Sequence, residues 1–358
     1  MRTMGKKKYK GWVGSRFASC GIVIFVLAGM AVGQAAPGAS ASTAVAGSQN
    51  SAFTQTQQLV QKGEYEAAIA QLRQMEAEKP AVKGLAHELG SAYYAKGDYI
   101  AAIVALKRAR EEDPQDKEAV QLTGLSYYLA GKPVEAIPYL EKVQSWYPRA
   151  NVDAAYILGN CYIQAKQYEQ ARGAFARMFE VGKDSASSYL FTARMLMRQE
   201  FDPVAEEYAL KAVAADAKLP LAHFLLGEIY LYKSRIPEAI AEFEKEMVLN
   251  PAHAPTLYKL ADAYSRVQKF DDAERLLQRS IWLDATSTGP FILLGKVLEK
   301  KGEAALAIRA LSHAATMDPN NAITHHLLGM AYRDLGKTED AERELKRSQE
   351  LQPGFDKR

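Results

Sequence analysis

The residues able to do chemistry are few and scattered. Six histidines occur, His87, His223, His253, His313, His325 and His326. None forms a His-x-x-x-His pair, the spacing that puts two imidazoles on one helix face for a metal. His325 and His326 are adjacent, so on a helix they point in different directions. Cys20 and Cys161 are the two cysteines, and Cys161 reads as a small buried apolar residue rather than a nucleophile. Carboxylate pairs such as Glu111-Glu112 and Asp271-Asp272 fall at helix ends, where capping accounts for them better than acid–base work. No glycine-rich phosphate loop occurs, and no Ser-His-Asp set can be nominated. The expectation is a chain with no catalytic residue, no metal and no cofactor, hence not an enzyme.

What remains is recognition, and the elements that would present it come from a frame of 34 residues. Gly90, Tyr93, Gly97, Ala102 and Pro114 recur after that shift as Gly124, Tyr127, Gly131, Ala136 and Pro148. Nine units start near residues 49, 83, 117, 152, 186, 220, 254, 288 and 322, with Asn151 alone between units. Each reads as two amphipathic helices around a short turn, clearest at Gly97-Asp98. Asp113-Pro114, Asn250-Pro251 and Asp318-Pro319 end second helices. Units 4, 5 and 7 lack that proline, having Lys183, Ala217 and Ala285, so their helix ends are the least determined.

One position is alanine in every unit, from Ala68 to Ala341, expected as the third residue of the second helix. The eighth position is glycine in six units (Gly90, Gly124, Gly159, Gly227, Gly295, Gly329) and alanine at Ala193 and Ala261. Glycine inside a helix costs about 1 kcal/mol against alanine. Its recurrence implies two helices crossing too closely for a larger side chain. Tyr93 and its counterparts, three residues on, fill the space beside that crossing. Pro138 sits inside a second helix, which predicts a kink or a late start at 134–138.

The pattern Leu89-Gly90-x-x-Tyr93, Gly97-Asp98-Tyr99, Ala102, Ala109, Pro114 resembles the tetratricopeptide repeat, over roughly residues 49–355. The resemblance implies an all-α fold, a right-handed superhelical solenoid of stacked antiparallel helix pairs. It also implies a concave groove, lined by positions 2, 5, 9, 12 and 13 of each first helix, that holds extended or helical peptides. On those positions stand Tyr94 and Tyr128, then Tyr156 and Asn160, then Arg194 and Arg198. Phe224, Glu228 and Tyr232 follow, then Tyr258, Asp262 and Arg266, with Lys296, Lys300 and Arg333 further on. Aromatic rings supply contact area at low entropy cost, and arginines supply directional donors. The family's chaperone-binding members clamp a carboxylate with Lys at position 5 and Asn at position 9. Position 5 here is never Lys, so that clamp is not expected.

The N-terminal 36 residues hold six of the 45 Lys and Arg and no Asp or Glu. A basic start, an apolar run from Gly21 to Val32 and small residues near Ala35 and Ala41 read as a secretory signal peptide. The alternative is an uncleaved anchor over 17–36, the one case in which membrane contact is expected. Residues 37–52 are small and polar, a flexible linker, followed by the solenoid over 53–355 and a tail at 356–358. Without the leader the chain has 39 basic and 42 acidic residues, too balanced for a nucleic-acid binder. The expected function is an exported, periplasmic or secreted scaffold binding a protein or peptide partner, in a cell-envelope assembly. The alternatives are a self-associating spacer and a regulatory subunit of an envelope enzyme.

Overall fold

A computed structural model describes residues 53–79, 82–146, 152–199 and 202–352; the expectations for 1–36, 37–52 and 356–358 lie outside the described residues. Every described element is a helix. They are α1 (53–61), α2 (Tyr65–Glu78), α3 (Leu85–Lys96), α4 (Tyr99–Glu112), α5 (Lys117–Leu129), α6 (Pro133–Trp146), α7 (Val152–Gln164), α8 (Tyr168–Met178) and α9 (Ala186–Arg198). Then come α10 (Asp202–Ala215), α11 (Ala222–Tyr232), α12 (Ile236–Leu249), α13 (Ala254–Arg266), α14 (Phe270–Leu283), α15 (Thr288–Lys300), α16 (Ala304–Met317), α17 (Ala322–Asp334) and α18 (Thr338–Leu351). From α2 on, each helix packs on the helix that follows it in the chain. Several odd helices also touch the next odd helix, as α3 does α5, α9 does α11 and α13 does α15, which successive even helices do not do to that extent. The odd helices are therefore the inner layer of an all-α solenoid, and each unit touches only its neighbours.

The repeated alanine is fully buried in eight units, and Ala341 in the last is 3% exposed. It is the fourth residue of its helix, because the second helices begin one residue before the expected start. The close crossing at position 8 is present. A Cβ on Gly227 would lie 2.5 Å from Phe243 Cε1, and one on Gly90 2.5 Å from Leu106 Cγ. No heavy atom tolerates that approach, so the glycines stand where the facing Leu or Phe fills the space.

The tyrosines three residues on do more than fill space. In four units the residue five after the repeated alanine of the preceding unit meets the ring, whatever its charge. The Arg73 guanidinium lies 5.6 Å from the Tyr93 ring and the Lys107 ammonium 5.5 Å from that of Tyr127. Where that residue is Glu, the phenol donates instead, Tyr162 to Glu141 and Tyr264 to Glu244 at 2.5 Å. Burial, then the bond to Glu244, pushes the Tyr264 phenol well above its ordinary value.

Two histidines do a similar job. His223 Nδ1 lies 2.5 Å from Glu242 and its Nε2 3.1 Å from the Ala217 carbonyl. His325 repeats this with Glu344 at 2.7 Å and the Pro319 carbonyl at 3.0 Å. Each ring joins its own unit's second helix to the connection before it. Cys161 is fully buried, and burial pushes its thiol up to about 12.

The turn between the two helices of a unit needs a left-handed residue. Five units use glycine (Gly63, Gly97, Gly131, Gly302, Gly336), while Lys166, Ser234 and Gln268 adopt positive φ with a side chain present. That conformation costs an L-residue roughly 1–2 kcal/mol. Ser234→Gly is expected to stabilise the chain by about 0.5–1 kcal/mol in urea unfolding.

Pro138 does not delay its helix. α6 starts at Pro133 and continues through Pro138. Pro133 takes the first helical position, where no N–H is needed. The cost of Pro138 is then one missing donor, the one that would have met the Val134 carbonyl.

Candidate functional site

The inner layer changes character where unit 4 meets unit 5. α8 has 11 residues, against 14 in α6, α10 and α12. It stops about one turn early because the chain folds back over it. Val181 N–H donates to the Ala176 carbonyl at 3.0 Å and Glu180 N–H to that of Arg177 at 3.1 Å. Glu180 takes a positive φ of 53° there, the usual left-handed helix stop made without glycine.

Arg172 holds this return in place. Its side chain is 4% exposed. It donates to the Lys183 carbonyl, to Asp184 at 2.6 Å and to Glu169, and its guanidinium lies 4.3 Å from the Tyr189 ring. The Arg172 hydrogen bond keeps the Asp184 carboxyl below the usual carboxylate range.

The early stop uncovers an apolar surface. Phe179 is 49% exposed. Its ring meets Phe191 edge-on at 4.6 Å, and Phe191 meets Phe175 at 5.0 Å. Phe179, Ser187, Leu190, Phe191, Arg194 and Leu221 line a depression of about 200 Å³. Leu221, in the left-handed region at φ 68°, is held by Glu246, which accepts from its N–H at 3.0 Å. Arg194 is exposed, and neither it nor Arg198 has an ion pair among the described residues. It acts electrostatically on His253, whose imidazole is held below its ordinary value first by burial and also by Arg194. An apolar cup with a free guanidinium on its rim suits an apolar side chain with a carboxylate close by.

The other expected groove residues divide by exposure. Tyr232 is open at 66%, and Arg198 and Arg266 are exposed. Tyr94, Tyr128, Tyr156 and Tyr258 are half-buried. Glu228 pairs with Lys259 at 3.1 Å and Asp262 with Arg266 at 2.9 Å. Two do not lie on an open face. Asn160 is 4% exposed and accepts from Gln199 at 2.9 Å; Phe224 is 8% exposed and lies edge-on to His253 at 5.2 Å. Both are closed off because an inner helix packs on its neighbours as well as facing the groove.

Models of the tetratricopeptide repeat match residues 59–124, 192–254, 256–290 and 292–354. These are tetratricopeptide repeats. A model of anaphase-promoting complex, cyclosome, subunit 3 matches residues 95–178. Over 184 residues the chain is 23% identical to anaphase-promoting complex subunit 3 of Schizosaccharomyces pombe; the match covers 51% of this chain and 27% of that protein. The chain thus spans about a quarter of that relative's length.

Among solved structures, the chain is similar to YrrB, a tetratricopeptide protein with an unusual peptide-binding site. That similarity has 23% identity, covers 51% of this chain and 95% of that one, and has a TM-score of 0.46. It is also similar to the APC/C hetero-tetramer Cut9–Hcn1, at 20% identity over 75% and 52% with a TM-score of 0.44. A third is pilF of Pseudomonas aeruginosa, at 20% identity over 57% and 92% with a TM-score of 0.48. These likenesses concern the fold alone.

In tetratricopeptide terms, the residues missed from the sequence are Phe179, Phe191, Ser187 and Leu221, which close the cup around Arg194. Phe179 ends a second helix, outside the first-helix positions that mark the groove. Its signal was indirect. The fourth tetratricopeptide unit alone carries an arginine, Arg172, directly after the repeated alanine, Ala171.

Proposed function

We propose that this tetratricopeptide chain is a non-enzymatic scaffold that holds a segment of a protein partner along its inner layer. The observation that carries the reading is the cup at the shortened α8, with exposed Phe179 and unpaired Arg194. The cup takes an apolar side chain and Arg194 takes a neighbouring carboxylate, with Arg198 one turn further along. Similarity to a subunit of the anaphase-promoting complex supports a protein as the partner. The scaffold works after export, periplasmic or secreted, within an envelope assembly; the basic start and apolar run of the leader support this.

Crosslinking capture from the native envelope, with the N-terminus of the same preparation sequenced, identifies the partner and the cleavage state together. Retention of residues 1–36 would move the scaffold to a membrane anchor. Arg194→Glu with Arg198→Glu is expected to weaken the captured partner about tenfold or more. Binding that survives that pair and also Phe179→Ala removes the cup as the site.

A further inference from the structure

Two units beyond the cup, the inner layer carries a second recess of different chemistry. It has about 430 Å³ and is lined by Ser265, Arg266, Gln268, Phe270, Lys296, Val297 and Lys300. Three cations face it, and no carboxylate lines it. Arg266 spends part of its guanidinium on Asp262 at 2.9 Å, and Lys300 has Glu299 at 3.7 Å. Lys296 is exposed and has no ion pair among the described residues. The contrast is Lys301, which is saturated by Asp271, Glu274 and Glu303. The floor is apolar, with Val297 at 1% exposure beside half-buried Phe270. Gln268 brings its amide to the rim from the left-handed turn position that is glycine in five other units.

Spacing says what fits. Lys296 and Lys300 are one turn apart on α15, about 6 Å along the axis. An extended chain advances roughly 3.4 Å per residue and points alternate side chains to one side. Its carboxylates at i and i+2 therefore fall about 7 Å apart on one face, within reach of both lysine stems. Adjacent acids point to opposite sides and reach only one.

We propose that this recess is a docking site for an acidic segment of a partner protein in extended form, with Asp or Glu at i and i+2. The two carboxylates bind Lys296 and Lys300, Arg266 adds a donor, and a flanking apolar side chain rests on Val297 and Phe270. The inference rests on the scaffold reading above and adds a sequence preference to it. The balance of charge over the body, 39 basic to 42 acidic, favours a local acidic motif over a polyanion.

The test uses the full-length chain and fluorescein-labelled peptides, read by anisotropy at low ionic strength. One peptide carries Glu-Leu-Glu between alanines, an isomer carries Glu-Glu-Leu, and a third carries Gln-Leu-Gln. The Glu-Leu-Glu peptide is expected to bind at least about fivefold tighter than its isomer and tenfold tighter than the Gln form. Lys296→Glu with Lys300→Glu removes the preference, whereas Arg194→Glu leaves it unchanged. Both lysines are exposed, and Lys296→Gln with Lys300→Gln serves as the milder pair should reversal disturb folding. Equal binding of the isomers overturns the proposal, as does a preference that survives both lysine pairs. So does an oligothymidylate that binds as tightly and is lost with the same lysines. Loss of the peptide preference while the native partner still depends on Arg194 sinks this inference and leaves the scaffold reading standing. Partner binding indifferent to Arg194 and Arg198, with the lysine-dependent preference intact, does the reverse.

Discussion

Phe243→Ala lowers stability by about 3–5 kcal/mol, with Phe243→Leu costing less than about 1.5 kcal/mol. Phe243 is fully buried on α12. Its ring covers Gly227 on α11 and meets Phe224 at 5.9 Å. Alanine leaves a void over a glycine, which has no side chain to relax into it, so the cavity penalty adds fully to the lost transfer energy. Leucine is tolerated because the same position is leucine at Leu106, Leu140, Leu311 and Leu345, each facing the glycine of its own unit. Since a unit touches only its neighbours, the damage concentrates in α11, α12 and α13. Hydrogen exchange should show those amides losing protection first, while α3 and α4 keep theirs. Equal loss of protection along the whole chain would mean that the solenoid unfolds as one block.

The packing was legible in the sequence because it repeats. Ala68 through Ala341 and the position-8 glycines mark a contact made once per unit, and the period of 34 shows it nine times over. The site was legible only in part, because it lies where the period is broken. Arg194 was found as an exposed cation on the expected face. The cup around it was not, since it depends on α8 stopping early without any shift in register. The missing terminal proline did not mark that event. Units 5 and 7 lack it too, yet α10 and α14 keep their full 14 residues. The buried guanidinium of Arg172 is what distinguishes unit 4, and a single arginine in an amphipathic helix carries no sign that it will turn inward. Asn160 and Phe224 failed in the other direction. Their positions face the groove in a single helix pair, but stacking the next pair closes over them. Neighbour contacts of this kind are set by how far successive units rotate, which no position within one unit encodes.

Glu246→Ala is expected to cost about 2–4 kcal/mol, and Glu246→Gln about half of that. Glu246 is fully buried in α12. Its oxygens accept from Leu221 N–H at 3.0 Å, from Phe224 N–H at 3.3 Å and from the Asn250 amide. α11 has no cap of its own, because Leu221 at its N-cap has no side-chain acceptor. The carboxylate supplies that cap from the neighbouring helix, and its charge sits favourably at the helix N-terminus. Alanine leaves two buried N–H groups and the Asn250 amide without their acceptor. Glutamine keeps one acceptor of nearly the same shape, so an Ala effect well above the Gln effect separates lost hydrogen bonding from lost charge. The consequence extends to the cup. Leu221 forms one wall of it, and the Glu246 carboxylate binds its N–H in the left-handed conformation. Glu246→Ala should therefore weaken the captured partner even under conditions where the chain remains folded by circular dichroism. Lys296-dependent peptide binding, two units away, should remain. Partner binding unchanged in folded Glu246→Ala would mean that the wall at Leu221 is not part of the site.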